Sequence, residues 1–242
     1  MHLDRNSNAM PPARRWGAAI AAVLLTFALV ACANGQGPDG PQNPGGPLTT
    51  LPPTVPQGDD PSGGSGSCMV SDASFDDDVT VPADVDCTFV NVTIEGNLVL
   101  SHGAGVTSTG GHVDGNVLVY PNAEYSAETT TVGGNVQSEQ ATAVDLSGTA
   151  VDGNVQTVET DSLVVSDGSV GGDIQPEDGG SVNVTGVNVG GNVQVNANTG
   201  GVNINDNVID GNLQCEGNDP APTGGGNIVN GDAEGQCSGL AA

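Results

Sequence analysis

The chain has 242 residues, a formal net charge of −26, 38 glycines and only 2% aromatic residues. So few large side chains cannot fill the wide core of a globular domain of this size, whereas a narrow tube filled with valine needs none of them. All three basic residues, Arg5, Arg14 and Arg15, precede residue 16. The rest of the chain therefore has no Lys or Arg. Because nucleic acid is bound largely through the neutralisation of phosphates by Lys and Arg, we expect no nucleic acid partner.

Residues 1–31 have the pattern of an export signal. The pair Arg14-Arg15 precedes the apolar run 16–31, which is shorter than the roughly 20 residues of a membrane-spanning helix. The run ends in Leu29-Val30-Ala31-Cys32, which resembles the lipobox of bacterial lipoproteins. The resemblance implies that residues 1–31 are removed, that the Cys32 thiol is diacylated, and that the new amino terminus carries an acyl chain such as palmitate. We therefore expect an exported protein, held by lipid on a bacterial membrane and facing the periplasm or the cell exterior.

Residues 32–67 are dominated by Pro, Gly and Ser and have no apolar periodicity. Such a segment cannot bury enough apolar surface to fold, so we predict a disordered tether that starts at the lipidated cysteine. Its reach is about 100 Å as extended polyproline and roughly 30 Å as a random coil. Either length would display the following domain away from the membrane surface.

A glycine motif returns at intervals of 19 or 20 residues through the rest of the chain. β-Branched residues lie two positions before each motif glycine and apolar residues two positions after it, as Val151 and Val155 do around Gly153. Polar residues alternate with them, which is typical of a strand with one face in a core. The motif glycines are Gly96, Gly115, Gly134, Gly153, Gly172, Gly191, Gly211 and Gly231. This regularity predicts a solenoid.

Each repeat also contains a second apolar pair two residues apart, such as Leu163 and Val165. Stacking such coils about 4.8 Å apart pairs every strand in parallel with its copies above and below. We therefore predict an all-β fold, a single-stranded parallel β-helix of about eight coils of about 19 residues, over residues 68–238 with a short tail at 239–242. Parallel crossovers favour the right hand, and a left-handed hexapeptide helix is the alternative.

The repeat resembles that of bactofilins, as in Gly168-Ser169-Val170-Gly171-Gly172-Asp173-Ile174, and the likeness covers roughly residues 92–214. Bactofilins are bacterial polymer-forming proteins built on right-handed β-helices, so the resemblance implies the same fold. They assemble end to end in the cytoplasm, without a lipobox or terminal disulfides. Because this chain differs in each of these respects, we carry over the fold alone and expect a monomer.

The four cysteines after Cys32 bracket the repeats. Cys68 and Cys87 are 19 residues apart, which is one coil, and Cys215 and Cys237 are 22 apart, which is about one coil with a longer loop. An even number of cysteines in an exported protein favours disulfides, and the spacing selects these two pairs. Each bond would add about 3 kcal/mol of stability. Since the open ends of a β-helix are sheet edges that invite pairing, covalently closed ends favour a protein that does not polymerise.

Amide side chains recur at two positions of the repeat. They are Asn97, Asn116, Asn135, Asn154, Asn192 and Asn212 directly after the motif glycine, and Gln137, Gln156, Gln175, Gln194 and Gln214 three residues after it. If the alternation continues through the glycine, both columns point outward as two ladders on one flat face. If the chain bends at the glycine, Asn turns inward or caps a corner and only Gln stays outside. In either arrangement the amides have two candidate roles. They form hydrogen bonds along the axis that stabilise the stack, or they form a binding face for a regular polymer such as a glycan.

Few residues suit catalysis or metal binding. Polysaccharide lyases of this fold class commonly use Arg or Lys, and neither occurs after Arg15. Glu95 and Asp114 occupy the same position in adjacent coils, about 5 Å apart, and form the candidate pair for a shared Ca²⁺. His102 and His112 lie at different points of their coils, so we assign no catalytic residue and no cofactor.

These features together predict a lipid-anchored cell-surface protein with a structural, scaffold or adhesive binding role, and not an enzyme. Its expected partners are the membrane, through Cys32, and a cell-wall glycan or a surface protein. The alternative is a carbohydrate-active enzyme or a Ca²⁺-binding module on the same fold.

Overall fold

The computed structural model describes residues 66–242, which form 27 short strands and no helix. The strands belong to three parallel sheets of nine strands each, and every coil adds one strand to each sheet. The fold is an all-β parallel β-helix, which confirms the prediction from the repeat. There are nine coils, one more than the motif glycines, because the first coil carries Asp77 at the position of the motif glycine.

The strands are numbered in chain order. Sheet 1 comprises β1 (Gly66–Ser71), β4 (Val85–Val90), β7 (Gly105–Thr109), β10 (Glu124–Glu128), β13 (Ala143–Ser147), β16 (Ser162–Ser166), β19 (Ser181–Thr185), β22 (Val202–Asn205) and β25 (Thr223–Gly225). Sheet 2 comprises β2 (Ser74–Phe75), β5 (Thr93–Ile94), β8 (His112–Val113), β11 (Thr131–Val132), β14 (Ala150–Val151), β17 (Ser169–Val170), β20 (Asn188–Val189), β23 (Val208–Ile209) and β26 (Ile228–Val229). Sheet 3 comprises β3 (Val79–Val81), β6 (Leu98–Leu100), β9 (Val117–Val119), β12 (Val136–Glu139), β15 (Val155–Val158), β18 (Ile174–Glu177), β21 (Val193–Asn196), β24 (Leu213–Glu216) and β27 (Ala233–Gly235).

Adjacent strands are paired in the register of the repeat. Val136, for example, pairs with Val117 in the preceding coil and with Val155 in the following one. β1 begins at Gly66, two residues before the predicted start of the β-helix. The predicted signal segment 1–31, Cys32 and the tether as far as residue 65 lie outside the described residues.

The core is a narrow column of aliphatic side chains. Residues alternate between the core and the outer surface, as in β15, where Val155 and Thr157 are buried and Gln156 is half-buried. The two apolar columns beside the motif glycine are buried as predicted, from Ile94 to Ile209 before it and from Leu98 to Leu213 after it. Phe89 and Tyr125 are the aromatic members of this core. Elsewhere, Val, Ile and Leu side chains stacked on the equivalent residues of neighbouring coils remove apolar surface from water.

The motif glycine is required by the close approach of successive coils. A Cβ atom at Gly153 would lie 2.7 Å from the carbonyl oxygen of Gly134 and 2.5 Å from Asn135 Oδ1 in the preceding coil. A side chain at this position would therefore push the coils apart. Asp77 is accommodated there because it belongs to the first coil, and the described residues include no coil before it.

The corner between sheets 1 and 2 has a left-handed backbone conformation in every coil. The residues with positive φ are Asp72, Asn91, Gly110, Thr129, Gly148, Asp167, Gly186, Asp206 and Gly226. Gly, Asn and Asp adopt this conformation at low cost. Thr129, with φ of 51°, is the unfavourable member, because its β-branched side chain crowds the backbone there.

Both ends of the β-helix are closed by the predicted disulfides. Cys68 in β1 is bonded to Cys87 in β4, with Cα atoms 4.5 Å apart, and Cys215 in β24 is bonded to Cys237, with Cα atoms 5.3 Å apart. Structural disulfides form and persist in oxidising compartments. The two bonds therefore indicate an exported protein.

Residues 239–242, which the sequence separates as a tail, close the last coil. Leu240 packs on the core with 9% of its surface exposed, and Ala241 forms a parallel bridge with Asn227. Asn227 Nδ2 donates to the carbonyl oxygen of Leu240 at 2.9 Å, and the Ala242 N–H donates to the carbonyl oxygen of Asn227 at 2.8 Å. The C-terminal end of the stack is thus covered by its own chain.

Candidate binding faces

The asparagines after the motif glycine cap the corner between sheets 2 and 3. The chain bends at residues 152 and 153, and Asn154 lies between β14 and β15. Each Oδ1 atom accepts from the next coil, as Asn116 Oδ1 does from the backbone N of Asn135 at 2.8 Å and from Asn135 Nδ2 at 3.1 Å. Of the two geometries that the sequence leaves open, the structure shows the bend. These amides do not form a second outward ladder.

This corner ladder runs from the first coil to the last. Its side-chain oxygens accept backbone N–H groups at 2.6–2.9 Å. Asp serves as well as Asn, because a backbone N–H needs only an acceptor. The ladder consists of Asp78, Asn97, Asn116, Asn135, Asn154, Asp173, Asn192, Asn212 and Asp232. It satisfies corner N–H groups by side-chain acceptors, so its role is structural.

The glutamines form a separate ladder on the outer face of sheet 3. Nε2 of Gln137 donates to Oε1 of Gln156 at 3.1 Å, and the bonds continue through Gln175 and Gln194 to Gln214 at 2.7–2.8 Å. The last member, Gln214, donates to Oε2 of Glu234 at 2.8 Å. All five glutamines are half-buried, and these bonds join side chains only. Their loss would leave the backbone hydrogen bonds intact.

The outer face of sheet 3 changes character along the axis. In the first three coils the glutamine position is held by Thr80, Val99 and Leu118. A second outward column beside it holds Tyr120, Glu139, Val158, Glu177, Asn196 and Glu216. At the C-terminal end both columns border a shallow depression whose lining includes Gln194, Gln214, Glu216, Glu234 and Gln236. We call this surface, from Val99 to Glu234, the amide face.

Two further amide columns are buried, and the alternation along the strands did not predict them. Asn198 and Asn218 lie at the corner between sheets 3 and 1, and Asn207 and Asn227 at the corner between sheets 1 and 2. Each is at most 5% exposed. Asn207 Nδ2 donates to the carbonyl oxygen of Val184 at 2.9 Å, and its backbone N–H donates to Asn227 Oδ1 at 3.1 Å. Their recurrence after 20 residues is the signal that would have found them, and their burial excludes them from ligand binding.

The outer face of sheet 1 carries shorter side chains. Its central column consists of Met69, Thr88, Thr107, Ser126, Asp145, Val164, Asn183, Asn203 and Thr223. One amide pair occurs in this column, where Asn203 Nδ2 donates to Asn183 Oδ1 at 3.0 Å. The outer face of sheet 1 therefore lacks a continuous amide ladder, and it serves as a control surface for the glutamine ladder of sheet 3.

The candidate metal and catalytic residues lie on sheet 2 and at the corners. Glu95 and Asp114 follow the paired strands β5 and β8, and so occupy equivalent positions in adjacent coils. Asp114 contacts His112 Nε2, whereas His102 lies at another corner and accepts from Asn122 Nδ2 at 2.9 Å. The structure does not bring the two histidines together. Within residues 66–242, no group of three or more His, Cys, Asp or Glu is placed to hold a metal ion.

His112 also contacts the hydroxyl of Thr131 through Nδ1. The structure thus joins a hydroxyl, an imidazole and a carboxylate on the outer surface of sheet 2, an arrangement that the repeat pattern does not predict. Acyl transfer would also require N–H donors directed at the developing oxyanion. The N–H of Thr131 is already bonded to the carbonyl oxygen of Gly111 at 3.2 Å.

Tyr125 is fully buried in sheet 1 between Val106 and Val144. Among the described residues, its hydroxyl is the buried side-chain group that has no hydrogen-bond partner. Burial raises the pKa of this phenol, because the charged form is poorly solvated in the core. The group affects stability and is inaccessible to a ligand.

Within residues 66–242, the structure contains no helix with the length and hydropathy needed to cross a membrane. No protein-family model matches the chain, and no curated protein or solved structure is significantly similar to it. The class of protein is therefore defined by the fold and the surface alone. It is a parallel β-helix with disulfides at both ends, a structural ladder at one corner and an amide ladder on one face.

Proposed function

We propose that the protein is a lipid-anchored cell-surface β-helix that serves as a rigid structural and binding scaffold. The observation that carries the proposal is the continuity of the stack. Nine coils share three in-register sheets, and the corner ladder joins consecutive coils throughout. At about 4.8 Å per coil, such a stack is a rod roughly 40 Å long.

Closed ends support a role as a discrete rod. The terminal coils of a solenoid have a neighbour on one side only, so they are the first to fray and usually need caps. Here Cys68–Cys87 joins the first coil to the second, and Cys215–Cys237 ties the C-terminal segment to β24. A rod that keeps its end coils folded holds surface groups at fixed spacing, which a scaffold requires.

Sequence features outside the described residues support display at the cell surface. The lipobox-like Leu29-Val30-Ala31-Cys32 and the Pro- and Gly-rich segment after it are the expected anchor and tether. The β-helix region carries 29 − 4 = 25 acidic residues after Asp4, Asp39, Asp59 and Asp60 are set aside, and no Lys or Arg. This charge would repel anionic lipid head groups and keep the rod away from the bilayer.

The anchoring is tested by fractionating cells of a bacterial host that express the full chain or the Cys32→Ser variant. The wild type should sediment with membranes and be degraded by protease added outside the cytoplasmic membrane. Cys32→Ser should lose membrane association, whereas a tether control, Ser65→Ala, should keep it. Membrane association of Cys32→Ser equal to that of the wild type would refute the lipid anchor.

A further inference from the structure

We propose that the amide face binds an extended, neutral polysaccharide chain along the axis of the β-helix. The inference rests on the proposed scaffold role and specifies the class of ligand that the scaffold would hold. Five glutamine amides follow one another on this face, and each is half-buried and fixed by its neighbours. Sugar hydroxyls are both donors and acceptors, so they suit amide groups.

Each glutamine in the ladder keeps hydrogen-bonding capacity for a ligand. An amide has two N–H donors and an oxygen with two lone pairs. In Gln156, the axial bonds use one N–H, to Gln175, and one acceptor position, from Gln137. The other N–H and lone pair remain, and the half-exposed side chain presents them to solvent. The face therefore offers a row of donors and acceptors.

The ladder lowers the entropic cost of binding. A free glutamine side chain loses up to about 2 kcal/mol of rotamer entropy when it becomes ordered. The axial bonds have already ordered these side chains, so a ligand does not incur this cost again. The amides also recur at the coil spacing of about 4.8 Å. A sugar ring of an extended β-linked chain advances by a similar distance, so successive rings would meet successive amides.

The ends of the face add contacts that suit a carbohydrate. Towards the N terminus the column continues as Val99 and Leu118, which provide an apolar surface for the C–H groups of a sugar ring. Towards the C terminus it ends at the shallow depression beside Glu216 and Glu234. Carboxylates are strong hydrogen-bond acceptors for hydroxyl groups. The strip is thus apolar at one end, amide-rich in the middle and acidic at the other.

Charge limits the ligand to a neutral chain. The region after residue 65 contains no Lys or Arg, so its surface has no permanently cationic side chain to neutralise the uronate or phosphate groups of an anionic polymer. Its acidic residues would repel such a polymer. The other amide columns are not competing sites, because the corner ladder bonds backbone N–H groups and Asn198, Asn207, Asn218 and Asn227 are buried.

The test measures the retardation of the full chain, in mild detergent, by polysaccharides dissolved in a native gel. Hydroxyethyl cellulose is the neutral β-linked probe and alginate is the anionic one. The binding variant is Gln156→Met with Gln175→Met, which keeps the length of both side chains and removes their amides. The control is Asn203→Leu, which removes an amide from sheet 1 without touching the amide face. Circular dichroism checks that each variant is folded.

We expect hydroxyethyl cellulose to retard the wild type and the Asn203→Leu control equally, with at least a tenfold higher Kd for the double variant. Alginate should retard none of them. If the double variant does not fold, the single substitution Gln137→Met, which breaks one ladder bond, replaces it and should also weaken retardation. Absence of retardation of the wild type, or equal retardation of the glutamine variants, would overturn the proposal. Neither result would change the membrane association that the Cys32→Ser variant tests. Failure of the polysaccharide proposal is therefore distinguishable from failure of the proposed lipid-anchored scaffold.

Discussion

The corner ladder and the glutamine ladder predict different costs for the removal of one amide. Asn135→Ala removes three hydrogen bonds, namely the donor bond to Asn116 Oδ1 and the two bonds that Asn135 Oδ1 accepts from Asn154. Loss of one of these bonds leaves the backbone N–H of Asn154 without its acceptor at a half-buried corner. Gln156→Ala removes two bonds, both between side chains. Asn135→Ala should therefore destabilise the fold more.

The expected magnitudes follow from the kind of bond lost. An unsatisfied N–H costs about 1–3 kcal/mol, and a partly exposed bond between side chains contributes about 0.5–1 kcal/mol. Asn135→Ala should then cost about 3 kcal/mol and Gln156→Ala about 1 kcal/mol. For a domain of this size, 1 kcal/mol corresponds to a change in Tm of about 2–4 °C. We expect Tm to fall by roughly 6–12 °C for Asn135→Ala and by roughly 2–4 °C for Gln156→Ala.

Thermal unfolding followed by circular dichroism measures both changes. The conservative variant Asn135→Asp keeps an oxygen that can accept the N–H of Asn154, as Asp173 does for Asn192 at 2.6 Å, so it should recover most of the lost stability. A Gln156→Ala change in Tm equal to or larger than that of Asn135→Ala would refute the structural role of the corner ladder. Failure of Asn135→Asp to recover stability would show that the N–H acceptor is not the origin of the effect.

Three other substitutions test the core, the coil spacing and the ends. Tyr125→Phe removes a buried hydroxyl without a partner and should raise the free energy of unfolding by about 1 kcal/mol in urea titrations. Burial raises the pKa of Tyr125, so this phenol ionises in the unfolded chain before it ionises in the folded one. The free energy of unfolding of the wild type should therefore fall as pH rises past about 10. The part of this fall that is due to Tyr125 should be absent in Tyr125→Phe. Gly153→Ala places a Cβ 2.7 Å from the carbonyl oxygen of Gly134 and should cost about 1–3 kcal/mol in the same titration, whereas Gly239→Ala, with nothing within 4 Å of the added Cβ, should change little. Replacing Cys215 and Cys237 together by Ser should lower stability by about 3 kcal/mol, measured against the wild type without reductant.

Each of these predictions has a result that would contradict it. A Tyr125→Phe variant less stable than the wild type would show that the hydroxyl has a partner in solution, such as an internal water. Equal stability of Gly153→Ala and Gly239→Ala would show that the coils can separate at the corner without cost. Unchanged stability of the Cys215 and Cys237 double variant would show that the C-terminal disulfide does not contribute to the free energy of unfolding.

Repetition made the architecture predictable from the sequence. A period of 19 or 20 residues stacks each residue on the equivalent residue of the next coil. Strand pairing and register therefore follow from the strands of a single coil. The alternation around Gly153 identified the buried columns, and the spacing of the cysteines identified both disulfides. The motif glycine marks eight of the nine coils, because the first coil carries Asp77 in its place. A motif that depends on contact with a preceding coil need not appear in the first.

Corner geometry was not predictable in the same way. Alternation describes which way side chains point along a straight strand, and it stops where the chain bends. Whether Asn135 faces solvent or bonds the next coil depends on that bend, which is set by contacts between coils. The buried pairs Asn198–Asn218 and Asn207–Asn227 were missed for the same reason, since polar residues at a corner are usually exposed.

The sequence by itself determined the period, the parallel pairing, the apolar columns and the disulfide pairs, because each of these depends only on the distance along the chain between equivalent residues. Tertiary structure alone decided the roles of the polar residues. It separated a corner ladder that bonds backbone N–H groups from a surface ladder that bonds side chains, brought Thr131 and Asp114 to His112, and folded Leu240 onto the core. These outcomes depend on the direction of side chains between neighbouring coils. Hydrogen bonds and steric contacts set that direction in three dimensions, and the one-dimensional repeat does not encode it.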